Sequence, residues 1–163
     1  MLAVGLIWTT AMVIRQLLVA FLVVAVCLII HVIGIVWLGE ALLDLRERWH
    51  RPLRTVGYMI LLLIVFAVTI ALHMLETAIW AVFYYQRALF PDFETSLYFS
   101  LTCYTTIGFG DVTLPPAWRM LGGVEGISGV LLCGLSTAFV FAVVNALFQM
   151  RIQREIQIEA TRS

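Results

Sequence analysis

The sequence predicts an all-α membrane protein: three transmembrane helices, with a shorter helix that enters the membrane between the second and third and turns back. Three observations predict it. The 163 residues are 63% hydrophobic and only 12% charged, against about 25% charged in soluble domains. Apolar intervals without charge, long enough to cross a hydrocarbon core of about 30 Å, recur three times. Between the last two lies an apolar stretch too short to cross. Lipid offers backbone amides no water, so each span has to be helical.

The elements follow in order. Residues 1–14 are apolar but lack the basic start and small-residue cleavage site of a signal peptide. They read either as an interfacial segment or as an extension of the first helix. Residues 16–39 contain no Asp, Glu, Lys or Arg and form the first span. A linker follows with Arg46, Arg48, Arg51 and Arg54. The three-residue spacing of the last three resembles a voltage-sensing helix, but Pro52 interrupts any helix there and only one span precedes them. They serve instead as a positive-inside anchor. Residues 55–75 form the second span, with room to continue past Glu76 to Tyr85. The third begins near Trp118 and runs to Met150. Seven of the ten arginines fall in the linker and tail, which places both in the cytoplasm and the N-terminus outside. The expected location is the cell membrane, as a multi-pass protein.

The divisions are therefore 1–55, with the N-terminal segment, first span and linker; 56–150, with the two later helices and all between them; and 151–163, a short tail. Net charge is zero and there is no lysine, so nothing recruits nucleic acid. Cys27, Cys103 and Cys133 have no paired spacing that reads as a disulfide framework or zinc site. His73 and Glu76 make neither a metalloprotease motif nor a triad, which argues against an enzyme.

The segment between the second and third spans is the informative one. Asp92 precedes FETSLYFSLTCY and can cap a helix over 93–104. At 1.5 Å per residue that helix is about 18 Å long, too short to cross. It is followed by Thr105, Thr106, Ile107, Gly108, Phe109, Gly110 and Asp111. This TTIGFGD run, after a capped short helix and between two long apolar ones, resembles the selectivity filter of potassium channels. The resemblance covers about residues 56–150 and is nearest to small bacterial channels with two core helices per chain.

The resemblance implies an outer helix, a re-entrant pore helix at 93–104, a filter at 105–111 and an inner helix at 118–150. It implies passive, potassium-selective conduction by a homotetramer, with K+ held at Thr106, Ile107, Gly108 and Phe109, Asp111 at the outer mouth, and no cofactor. Each chain would then meet three identical subunits, K+ and lipid. The chemistry is arguable from the residues: carbonyls replace the ion's water shell only if they all point inward, and Gly108 and Gly110 can take backbone conformations closed to residues with a Cβ. Filter support falls to Tyr98 and Phe99, where the family often has two tryptophans, and to Thr102, Glu125 and His73. Phe99 is expected to pack on Phe109, and the Tyr98 hydroxyl to reach Asp111. Counted along the two helices, Glu125 and His73 lie at similar depths of roughly 5–6 Å. A buried carboxylate needs a donor, which His73, Ser100 or Thr102 can supply; protonation of Glu125, or a reach toward Arg119, is the alternative. Gly122 and Gly126 read as a packing surface, Gly129 and Gly134 as candidate hinges, and Phe148 as a cytoplasmic constriction. A membrane subunit of a potassium uptake system, or a modulatory subunit without its own conduction, are the competing readings.

Overall fold

The computed structural model describes residues 2–48 and 55–162. It contains four α-helices, α1 (Leu2–Arg48), α2 (Thr55–Gln86), α3 (Phe93–Tyr104) and α4 (Arg119–Arg162), with a single 3-10 turn at Pro116–Trp118 and no strand among the described residues. Three helices are long and apolar enough to cross a membrane, over Thr10–Leu45, Val56–Gln86 and Pro116–Gln153. Trp49, Arg51, Pro52 and Arg54 of the expected linker lie outside the described residues.

Of the two expectations for the N-terminal segment, helix α1 takes the extension of the first span. Its 47 residues extend about 70 Å at 1.5 Å each, so residues 2–14 continue the helix and the start of the charged linker is also helical. No glycine pair or proline interrupts 2–48, which explains the continuity. One face of α1 is buried: Gln16, Ala20, Val23, Cys27, His31 and Leu38, at steps of three, four and seven. That face lies against α4 and α2 of the same chain. Where α1 meets α2 the approach is close, since a Cβ at Gly34 would stand 2.6 Å from Leu72 Cδ2. Leu18, Phe21, Leu22, Ile33 and Trp37 are exposed on the remaining surface, as a lipid-facing helix requires.

Two caps set the position of α3. Helix α2 ends with Ala88 at φ 51°, where Ala88 N–H bonds to Tyr85 C=O at 2.9 Å and Leu89 N–H to Tyr84 C=O at 3.1 Å. This double closure normally uses glycine at the left-handed position. Four residues on, Asp92 Oδ1 accepts from Thr95 N–H at 2.7 Å and Oδ2 from the Thr95 hydroxyl at 3.1 Å, which is the expected N-cap. These amide bonds hold the exposed Asp92 carboxyl below its usual range. The chain thus reverses within a few residues and lays α3 between α2 and α4.

Helix α3 is held on one side by aromatic rings. Phe99 packs on Phe90 and Tyr84, with centroids 4.9 and 5.3 Å apart, contacts that each contribute about 0.5–1.5 kcal/mol beyond area burial. On the other side α4 presents glycines. Added Cβ atoms would meet Phe99 and Cys103 at Gly122, the Cys103 carbonyl at Gly126, and the Tyr104 carbonyl oxygen at 2.1 Å at Gly129. Small residues let two backbones approach where apolar lipid gives no hydrophobic drive. The near end of α4 is tied to α1, because Gln16 Oε1 accepts from Met120 N–H at 3.0 Å. Beside it the Arg15 guanidinium stands 5.2 Å from the Trp118 ring centre.

Candidate functional site

The site begins where α3 stops. Thr105 caps the helix in right-handed conformation, φ −80° and ψ 0°. Then left-handed φ values occur at every second residue: Thr106 at 62°, Gly108 at 52° and Gly110 at 80°, while Ile107 and Phe109 are not left-handed. In an extended strand successive carbonyls point to opposite sides. Alternating hand turns every second peptide over, which brings the carbonyls toward one side. Two bonds fix the start: Thr106 N–H to Cys103 C=O at 2.9 Å, and Gly108 N–H to Thr102 C=O at 3.0 Å. The sequence reading assigned left-handed backbone to the glycines alone. Thr106 is the addition, and it stores about 1–2 kcal/mol of steric strain; no residue-type signal marks it.

Residues 105–111 are all exposed in the single chain. Phe109 is 69% exposed, and within the one chain it makes no ring contact with Phe99. The reason is that the aromatic side of α3 turns toward α2, where Phe99 is spent on Tyr84 and Phe90. Tyr98 does reach Asp111, its hydroxyl donating to Oδ2 at 2.8 Å. That bond raises the Tyr98 hydroxyl above its ordinary pKa. Thr102 touches the segment through its carbonyl, its side chain being turned back to Phe99 C=O at 2.9 Å.

Behind the segment, Glu125 is fully buried. Of its three expected donors, Ser100 is in contact, Oγ to Oε1 at 2.5 Å. Tyr84, which the sequence reading did not consider, donates to Oε2 at 2.6 Å. Neither His73 nor Thr102 bonds to Glu125, and neither does Arg119, which lies at the first turn of α4. His73 and Glu125 share a depth, but depth leaves the direction around each helix open. His73 faces a second polar group instead. Its Nδ1 lies 2.8 Å from the Tyr104 hydroxyl and 3.3 Å from Glu76 Oε2, and its Nε2 lies 3.0 Å from Ser136 Oγ. Tyr104 donates to Glu76, and His31 of α1 meets Glu76 Oε1 at 2.6 Å. His31, Glu76 and Ser136 were not anticipated as a site. The signal was present, since ionisable residues inside apolar spans are rare and costly unless paired.

Along α4, Gly129 is buried at its contact with Tyr104, while the Cβ position of Gly134 meets nothing within 4 Å. Of the two candidate hinges, Gly129 makes a packing contact and Gly134 has no such neighbour. Phe148 is 60% exposed near the far end. An open groove of about 490 Å³ runs between the 105–111 segment and α4, lined by Thr102, Thr106, Gly108, Gly126, Ile127 and Leu131 among others.

Chemically the exposed segment offers carbonyl and hydroxyl oxygens, with Asp111 at its end. Such groups suit a weakly hydrated cation better than covalent chemistry. A family model described as an ion channel matches residues 58–146. No curated protein and no solved structure gives a significant match.

Proposed function

The chain belongs to the ion channel family, and on that premise we propose that it is a potassium-selective channel built by four copies around one axis. The observation that carries this reading is the alternation of hand over residues 105–110, with left-handed φ at Thr106, Gly108 and Gly110. One chain contributes one column of carbonyls, and a potassium ion stripped of water needs oxygens from several columns at once. Carbonyls of Thr106, Ile107, Gly108 and Phe109 coordinate K+, with the Thr106 hydroxyl at the inner end. The exposed Ile107 and Phe109 side chains pack against neighbouring chains. Asp111, fixed by Tyr98, concentrates cations at the mouth. Helix α3 ends at the segment, so the partial negative charge of its last carbonyls favours a cation beneath the filter. Glu125 braces α3 from behind through Ser100, and Gly134 and Phe148 are the hinge and constriction. No cofactor is needed, because the driving force is the ion gradient.

Arginine placement supports a cytoplasmic C-terminus and an outside N-terminus. The test is purified protein in liposomes with potassium and sodium gradients applied separately, together with mass measurement in detergent. Potassium flux without comparable sodium flux, from a species of four chains, is expected. Equal fluxes, or a stable dimer with no higher form, would refute the proposal.

A further inference from the structure

A closed ring of hydrogen bonds joins all four helices. Glu76 Oε1 meets His31 Nδ1 at 2.6 Å, and His31 Nε2 meets Ser136 Oγ at 3.0 Å. Ser136 Oγ meets His73 Nε2 at 3.0 Å, His73 Nδ1 meets the Tyr104 hydroxyl at 2.8 Å, and Tyr104 closes the circuit on Glu76 Oε2. The ring takes His31 from α1, His73 and Glu76 from α2, Tyr104 from α3 and Ser136 from α4. His31 and Glu76 have no exposure, Tyr104 and Ser136 have 3% and 4%, and His73 has 15%, so at four of the five members bulk water does not replace a missing partner.

The five ring contacts, all of 3.0 Å or less, require five hydrogens; the longer approach of His73 Nδ1 to Glu76 Oε2, 3.3 Å, shares the hydrogen of whichever of the two bonds Tyr104. A carboxylate, two neutral imidazoles, a phenol and a hydroxyl bring only four: one on each ring, one on Tyr104 and one on Ser136. With four, one contact sets two acceptors against each other, and the group carries a net negative charge. With a fifth, every bond is made and all run one way: from Glu76 and His31 to Ser136, to His73, to Tyr104, and back to Glu76. It makes no difference whether the fifth hydrogen rests on His31 or on Glu76, since the two positions lie along one 2.6 Å contact and both leave the group neutral. Donor atoms of His31, His73 and Glu76 lie within 4.8 Å of one another, but each imidazole nitrogen already faces a partner from another helix or from Glu76, which assigns the space between them to protons.

We propose that the ring binds this fifth proton as a structural ligand, and that releasing it uncouples α1 and α4 from Tyr104, the last residue of α3 before the filter segment. Other titratable groups close by are the Cys27 thiol on α1 and the Cys133 thiol on α4, 4.0 Å from His73 Nε2. On α3 there is the Cys103 thiol, and the remaining buried carboxylate on α4, Glu125, is engaged by Tyr84 and Ser100. The effect on conduction rests on the channel reading; the hydrogen count does not.

The experiment uses the full chain in lipid bilayers, with His50 replaced by Gln so that only the two ring imidazoles contribute histidine signals. Imidazole nitrogen resonances and the infrared band of a protonated carboxyl, assigned with Glu76→Gln, are followed from about pH 6 to about pH 9. Thermal midpoint and potassium flux are followed over the same interval. Three hydrogens on the two imidazoles and Glu76 are expected at the acid end and two at the alkaline end, with the midpoint falling and the flux changing as the third leaves. Ser136→Ala opens the ring and should flatten both profiles. Two hydrogens at every pH would overturn the proposal, as would identical profiles for the two proteins. Three hydrogens in a protein that never conducts would uphold the bound proton and refute the channel reading; three hydrogens with flux indifferent to their loss would overturn the coupling.

Discussion

Gly129→Ala and Gly134→Ala make the same chemical change on the same helix, five residues apart, and should behave oppositely. At Gly129 the new Cβ would stand 2.1 Å from the Tyr104 carbonyl oxygen and 3.0 Å from its carbonyl carbon. Non-bonded heavy atoms prefer about 3.5 Å or more, so the end of α3 and α4 must part by more than about 1 Å. Both obstructing atoms are backbone, and no rotamer change relieves them. Overpacking of this kind costs about 1–3 kcal/mol, against a gain of at most about 1 kcal/mol for alanine over glycine in a helix. At Gly134 nothing lies within 4 Å, and only the gain remains. The assay is thermal unfolding in detergent beside potassium flux in liposomes. Gly129→Ala should lower both, the flux more steeply because Tyr104 leads directly into the 105–111 segment, while Gly134→Ala should match or exceed the unmutated midpoint. Equal midpoints and equal fluxes for the two variants would refute the packing argument.

Gly108→Ala should abolish potassium flux, because φ 52° at this position penalises any Cβ although nothing lies within 4 Å of it in the chain; the strain is about 1–2 kcal/mol per chain, and retained flux would count against the carbonyl geometry. Ala88→Gly should raise the thermal midpoint, since φ 51° is relaxed by glycine, with a gain of about 1 kcal/mol. The Asp92 carboxyl is held below its ordinary value of 3.8, so its contribution to stability is present above that value and is lost as pH falls through the lower folded one. Acid unfolding profiles should show this loss in the unmutated protein and not in Asp92→Asn, which keeps a capping oxygen but has no carboxyl to protonate.

Length and charge were enough to read three spans and the capped short helix, because crossing a bilayer and capping a helix are constraints on composition and on single residues. Asp92 was found from sequence for that reason, and so was the closeness of Tyr98 to Asp111, thirteen residues apart across one turn. What stayed hidden depends on rotation about helix axes. His73 and Glu125 share a depth but face different neighbours, and Phe99 turns toward Tyr84 because the α2–α3 reversal sets the roll of α3. The left-handed Thr106 was invisible for another reason: its conformation is imposed by amides bonding back to Thr102 and Cys103, and threonine itself prefers the opposite hand. Tyr84 and His31 were missed because their partners lie 41 and 45 residues away.

The region shared with the ion channel family starts at residue 58, beyond α1, yet α1 is not an appendage to it. Glu76 Oε1 is partnered by His31 Nδ1, the amide of Met120 is received by Gln16, and Leu72 lies against Gly34. A two-helix chain cut at the family boundary would have a buried oxygen facing lipid, an uncapped start to α4 and a cleft along α2. For anyone transplanting or shortening this protein, the exchangeable module is the whole three-span chain, and a separately expressed α1 is the natural complement for a core that lacks it.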